Sequence, residues 1–115
     1  MLVSSVNPTP QRLLFLCSRN RLRSPTAEAI FSRPGVETDS AGLSPDAEVI
    51  LSQEQIEWAD LILVMEGIHR TRLNRDYGPH LKGKKVVVLG VRDDFDFMDP
   101  ALVKLLESKC ARYLS

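Results

Sequence analysis

Residues 13–31 read LLFLCSRNRLRSPTAEAIF: an apolar run, a cysteine, a basic tract, then a serine and a proline that open a helical pattern. A short continuous apolar run suits a strand covered on both faces. Ser24 followed by Pro25 suits a helix start, the serine as cap and the proline where a missing N–H costs nothing. Three further strand-like runs stand at residues 36–40, 61–65 and 85–89, with helical patterns between them. One of these opens SQEQ, where Ser52 and Gln55 have the spacing of a capping box ahead of Ile56 and Trp58. A shorter helix is expected over residues 67–75. The last opens at Asp99 and Pro100 and carries Leu102, Leu106, Cys110 and Tyr113 along one stripe. Strands that alternate with helices pair in parallel, because each crossover returns over a face of the sheet. The fold class is therefore α/β, a single-domain three-layer sandwich with a four-stranded parallel sheet. The domain is expected over residues 12–115, with residues 1–11 a flexible tail in which Pro8 and Pro10 discourage regular structure.

Sheets of this kind bind ligands beyond the carboxyl ends of their strands, where Cys17 stands. From there the chain runs through Ser18, Arg19, Asn20, Arg21 and Leu22 to Arg23 and Ser24, and it must reverse within that span, leaving backbone N–H groups around a shared hollow. Such a nest with a helix N-terminus behind it holds an anion the size of phosphate. The same field favours a thiolate, the nucleophilic form of cysteine. Arg23 closes the loop and can offer two parallel donors to phosphate oxygens, which lysine cannot reproduce. Ser24 is also placed to donate to the sulfur as a leaving group, and Asn20 suits a left-handed turn position.

The whole-chain totals narrow the function classes. The 115 residues make one domain, 43% hydrophobic and 26% charged, with 15 basic residues balanced by 15 acidic ones. Net charge gives no support to a nucleic-acid partner. Two cysteines without metal-ligand spacing argue against a disulfide scaffold or a zinc site and for reduced thiols in the cytoplasm. The first residues resemble neither a signal peptide nor a membrane anchor.

CSRNRLRS followed by PTAEAIF, with DSAG at residues 39–42 and ADLILVM shortly before His69, resembles the low-molecular-weight protein tyrosine phosphatases over most of the chain. The resemblance implies a flavodoxin-like, phosphotyrosine phosphatase I-like sheet in the order 2-1-3-4, with no metal and no cofactor. It also implies two-step hydrolysis of a phosphomonoester, phosphotyrosine foremost. Cys17 attacks phosphorus to form a phosphocysteine, Arg23 and the loop amides stabilise the transferred group, and an aspartic acid protonates the leaving oxygen before activating water. The family places that acid in an Asp-Pro-aromatic motif, and the only Asp-Pro here is Asp99-Pro100. Asp99 stands where a helix cap belongs, and a capping carboxylate is poorly placed to donate a proton. Asp93 matches the motif's spacing to the last helix, with Asp94 in the proline's place and Phe95 in that of the aromatic wall. Asp93 is the first choice, then Asp94, then Asp99.

Departures from the family pattern bear on substrate and redox behaviour. Arg19 replaces a usual glycine, and Leu22 stands where many members carry a second cysteine that could protect an oxidised Cys17. Arg19 and Arg21 at the rim either favour substrates with anionic groups beyond the phosphate or simply lie in water. The segments after Gly42 and before Asp93 are short, which implies a shallower pocket. His69 and His80 read as a surface helix residue and a loop residue, Trp58 and Tyr113 as core, and KGKK at residues 82–85 as a solvated turn. Asp39 and Ser40 either support the phosphate loop or make ordinary strand-end hydrogen bonds. Expected partners are a phosphorylated protein or small phosphomonoester, with no membrane. The alternatives are a phosphate-loop module that binds phosphorylated partners without turnover, an arsenate reductase-like enzyme, and a cysteine phosphocarrier, against which the pairing of Arg23 with Ser24 argues.

Overall fold

A computed structural model describes residues 10–114, so nearly all of the expected tail lies outside the described residues. The elements run β1 (Gln11–Cys17), α1 (Arg23–Phe31), β2 (Val36–Gly42), α2 (Gln53–Trp58), β3 (Leu61–Val64), α3 (Gly67–Tyr77), β4 (Lys85–Val88) and α4 (Pro100–Cys110). Short 3-10 turns, Gly78–Leu81 and Ala111–Tyr113, follow α3 and α4. All strand pairs are parallel and the order is β2-β1-β3-β4, as the family resemblance implies.

Alternation along each strand divides the core into two layers. Leu13, Phe15, Leu63 and Met65 pack with Phe31 of α1 and with Leu102, Leu106 and Cys110 of α4. Leu14, Leu16, Ile62 and Val64 pack on the opposite face with Ile56 of α2 and Leu73 of α3. The two inner strands, β1 and β3, carry the longest runs covered on both faces. β4 is an edge strand with Lys85 exposed and its three valines half-buried, so its apolar run overstates its burial. β1 starts two residues earlier than its apolar run, at Gln11, and β2 reaches Gly42, because pairing with the neighbouring strand carries polar residues into the ladder.

The caps follow the local rules with one exception. Ser52 and Gln55 form the reciprocal capping box, and Asp99 accepts from the amide of Ala101 at 2.9 Å with Pro100 opening α4. The exception is Ser24: α1 begins one residue earlier, at Arg23, and no side chain caps it. Trp58 and Tyr113 are half-buried rather than core. Their rings carry cations, Arg12 at 6.0 Å from the first and Lys85 and Arg112 at 5.9 Å from the second. α3 runs two residues past the expected stop, to Tyr77, whose hydroxyl donates to the Leu51 carbonyl at 2.8 Å.

Candidate active site

The loop after β1 is shaped from outside. The amides of Leu43, Ser44 and Glu48 donate to the carbonyls of Cys17, Ser18 and Arg19 at 3.0, 2.8 and 2.9 Å. In a trans peptide the N–H points opposite to the C=O, so these three bonds turn the amides of Ser18, Arg19 and Asn20 toward the other side, into the hollow of the loop. Gly42 permits this approach: a Cβ there would meet the Ser18 carbonyl oxygen and the Ala47 Cβ, each at 2.5 Å. Asn20 takes the left-handed conformation, φ 56°, that reverses the chain.

Beneath the loop a hydrogen-bond chain leads to the thiol. Asn20 Nδ2 donates to Ser24 Oγ at 3.0 Å and to Ser40 Oγ at 2.9 Å. An amide nitrogen only donates, so both hydroxyl oxygens accept and their protons are released outward. Ser40 Oγ donates a hydrogen bond to the Glu28 carboxylate, and Ser24 Oγ lies 2.9 Å from Cys17 Sγ, where its hydroxyl can donate to a thiolate. Ser24 is thus a partner of the thiol rather than a helix cap. Of the two residues singled out on β2, Ser40 supports the loop through Asn20. Asp39 turns the other way and accepts from Gln55 at 3.0 Å.

Arg23 is almost fully buried, and its Nη1 is held by the Glu66 carboxylate at 2.5 Å and the Val91 carbonyl at 2.8 Å. The scaffold therefore occupies the Nη1 end of the guanidinium, and the Nε–Nη2 edge is turned toward Asp93, which pairs with Nε. Asp93 stands 3.6 Å from Nε with its side chain 66% exposed. Cys17, Ser18, Arg19, Arg21, Leu22, Arg23 and Asp93 line a single cavity of about 390 Å³. Asp94 pairs with Arg92 at 3.4 Å and Asp99 caps α4, so neither reaches this cavity. Phe95 packs half-buried against the α1/α4 side of the core and is not a wall of the cavity, whose lining among the described residues includes no aromatic ring. A more open hollow of about 560 Å³, walled in part by Val49 and Phe97, has no cysteine in its lining.

The rim arginines lie in water, their side chains 60% and 50% exposed, and each is paired with a carboxylate. Arg19 pairs with Asp46 at 3.6 Å and Arg21 with Glu48 at 3.1 Å, both carboxylates arriving on the loop after β2. These pairs are exposed and contribute little to stability, but they neutralise the rim.

His69 overturns its reading as a surface residue. It is 1% exposed, its Nδ1 accepts from the Glu66 amide at 3.0 Å, and its Nε2 lies 3.1 Å from Ser18 Oγ. Burial, reinforced by the Arg23 guanidinium, lowers its pKa to about 4. His80 is exposed on the 3-10 turn after α3.

No family model matches the chain. Two comparisons do match. A protein-arginine-phosphatase of Geobacillus stearothermophilus is 32% identical, with 79% of each chain covered. The chain belongs to the low-molecular-weight protein tyrosine phosphatase family. Among solved structures, the YwlE arginine phosphatase of Geobacillus stearothermophilus superposes with a TM-score of 0.70 at 25% identity over 90% of each chain. The low-molecular-weight protein tyrosine phosphatase SP-PTP of Streptococcus pyogenes reaches 0.74 at 18% identity, over 91% of this chain and 94% of that one, a likeness of fold.

Within this member of the family, the residues that sequence reasoning missed are Glu66, His69 and the Val91 carbonyl. A signal for the first two was present. Met65-Glu66 leaves the carboxyl end of β3, which neighbours β1 in the sheet, so the turn it enters opens onto the same crevice as Cys17. Val91 acts through its backbone, which side-chain identity does not reveal.

Proposed function

We propose that this phosphatase dephosphorylates protein side chains, phosphotyrosine foremost, through a phosphocysteine on Cys17. The observation that carries the reading is the shared cavity lined by Cys17, with Ser24 at 2.9 Å from its sulfur, by Arg23 and by Asp93, whose carboxyl group stands beside Arg23 Nε. In the first step the Cys17 thiolate attacks phosphorus: a P–S bond forms, the P–O bond to the substrate breaks, and Asp93 gives its proton to the departing oxygen. In the second step Asp93, now a carboxylate, takes a proton from water as the oxygen bonds to phosphorus. The P–S bond then breaks, and Ser24 donates to the sulfur that leaves. Loop amides and Arg23 hold the equatorial oxygens throughout.

A second reading, phosphoarginine as substrate, is favoured by the relative named as a protein-arginine-phosphatase and by the cavity's lack of aromatic walls. A flat phenol ring gains less from such walls than from stacked ones. Relatives named as phosphatases disfavour a binding module without turnover. Arsenate reduction would want a second thiol near the first, and Cys110 is buried in α4. Cytoplasmic residence, where two unpaired thiols stay reduced, fits the same reading, and among the described residues no helix is long and apolar enough to cross a membrane.

The test is hydrolysis of p-nitrophenyl phosphate in the presence of a metal chelator. Vanadate inhibits it, and Cys17→Ser abolishes turnover while phosphate still binds. Turnover that survives Cys17→Ser rejects the mechanism. Paired peptides carrying phosphotyrosine or phosphoarginine in one sequence context then assign the substrate by the ratio of their kcat/KM values.

A further inference from the structure

The buried His69 ring has one arrangement of protons that its surroundings allow. A backbone N–H only donates, so the Glu66 amide at 3.0 Å requires Nδ1 to be the unprotonated nitrogen. The neutral ring then carries its proton on Nε2, which lies 3.1 Å from Ser18 Oγ and donates to it. Ser18 has thereby accepted, and its own hydroxyl proton is left for another acceptor. Ser18 follows the nucleophile directly, is half-buried, and lines the cavity in which the phosphoryl group would sit.

We infer that the Ser18 hydroxyl is a fixed hydrogen-bond donor to the phosphoryl oxygens of bound substrate and phosphoenzyme, with His69 as the positioning residue that holds it in that sense. The inference rests on the phosphatase reading above and adds to it a side-chain contact beyond the loop amides and Arg23. The arrangement is self-consistent in charge. A neutral ring beside the Arg23 guanidinium adds no repulsion, whereas a protonated ring would point a second N–H at the Glu66 amide and break the chain. The groups that face the ring are Arg23 and Arg72, which disfavour its protonation as burial does, and Glu66 and Asp93, which favour it; burial is the largest of these influences and Arg23 the next. The same histidine also joins Ser18 to the turn that clamps Arg23, because the residue whose amide it accepts from is the one whose carboxylate holds Nη1.

Binding of inorganic phosphate by titration calorimetry and kcat/KM for p-nitrophenyl phosphate are measured for the unaltered chain and for Ser18→Ala, Ser18→Thr, His69→Phe, His69→Gln and the Ser18→Ala/His69→Phe pair. A lost hydrogen bond to a charged group is expected to weaken phosphate binding about tenfold in Ser18→Ala, while Ser18→Thr, which keeps the hydroxyl, recovers most of that loss. His69→Phe loses a similar factor alone and nothing further in the Ser18→Ala background, the non-additivity expected when one residue acts through another. His69→Gln, with a side-chain N–H, recovers part of the loss. Nitrogen-15 spectra of the unaltered protein show His69 as the neutral Nε2–H tautomer at pH 7. Phosphate binding unchanged in Ser18→Ala, additive losses in the pair, or the Nδ1–H tautomer each overturn the inference. If the His69 variants do not fold, the contrast between Ser18→Ala and Ser18→Thr decides it. The phosphatase reading fails separately, on absent turnover in the unaltered chain or turnover surviving Cys17→Ser, and the phosphate titration still judges Ser18 in that event.

Discussion

Asp93 and Asp99 carry the same carboxyl group six positions apart, and their surroundings give them different tasks. Asp99 spends an oxygen on the amide of Ala101, while Asp93 opens onto the cavity beside Arg23. General acid catalysis contributes about 10²–10⁴-fold, most where the leaving group is worst. Asp93→Asn is therefore expected to cost phenyl phosphate hydrolysis at least about a hundredfold and p-nitrophenyl phosphate far less. Asp99→Asn keeps the cap and leaves both rates and melting temperature near those of the parent, whereas Asp99→Ala costs about 1 kcal/mol of stability. Equal loss for both phosphate esters in Asp93→Asn would remove it as the acid. His69 supplies a second residue-scale expectation. Its folded pKa of about 4 lies below the ordinary 6.5, so between these values the unfolded chain binds more protons than the folded one. Stability from this group is complete above about pH 6.5 and is lost as pH falls toward about 4, by up to about 3 kcal/mol. Denaturant unfolding at pH 7 and pH 4.5 should show the loss in the parent and a reduced loss in His69→Gln.

At the scale of elements, the phosphate loop owes its shape to the segment after β2 as much as to its own residues. Three donated amides from that segment turn the loop carbonyls outward, and at Gly42 the loop backbone lies too close for a side chain. Both nearest loop atoms there are backbone, so a methyl group cannot be accommodated by a side-chain rotation. Gly42→Ala is expected to destabilise the fold by about 1–3 kcal/mol, the usual cost of overpacking, and to weaken phosphate binding beyond what the stability loss explains. Calorimetric phosphate titration at a temperature where the variant is fully folded measures this. Parent-like affinity there would separate the loop's geometry from its neighbour.

For the molecule as a whole, the placement of the second thiol governs the response to oxidants. Cys110 lies fully buried in the stripe of α4, and burial pushes its thiol up to about 12, so it supplies no thiolate to an oxidised Cys17. Leu22 occupies the loop position where a closer thiol would stand. Peroxide is expected to inactivate the enzyme with no Cys17–Cys110 disulfide, to pass beyond thiol rescue on longer exposure, and to be slowed by bound phosphate. Mass spectrometry of the treated protein checks all three, and a Cys17–Cys110 crosslink would contradict the packing of α4.

Strand, loop and helix around Cys17 were legible because their signals are local. An apolar run, a positive-φ asparagine, a capping box and an Asp-Pro helix start each act within a few residues of chain, and the alternation of strands with helices leaves a parallel sheet as the outcome. The pairings of Arg23 with Glu66, of His69 with Ser18, and of Arg19 and Arg21 with Asp46 and Glu48 join segments 25 or more residues apart. Their partners are chosen by how the crossovers bring strand ends together, and periodicity carries no record of that. Ser24 shows the difference in one residue: its position beside a helix start is local and suggested a cap, whereas the sulfur and the asparagine that claim its hydroxyl meet it only when the loop closes.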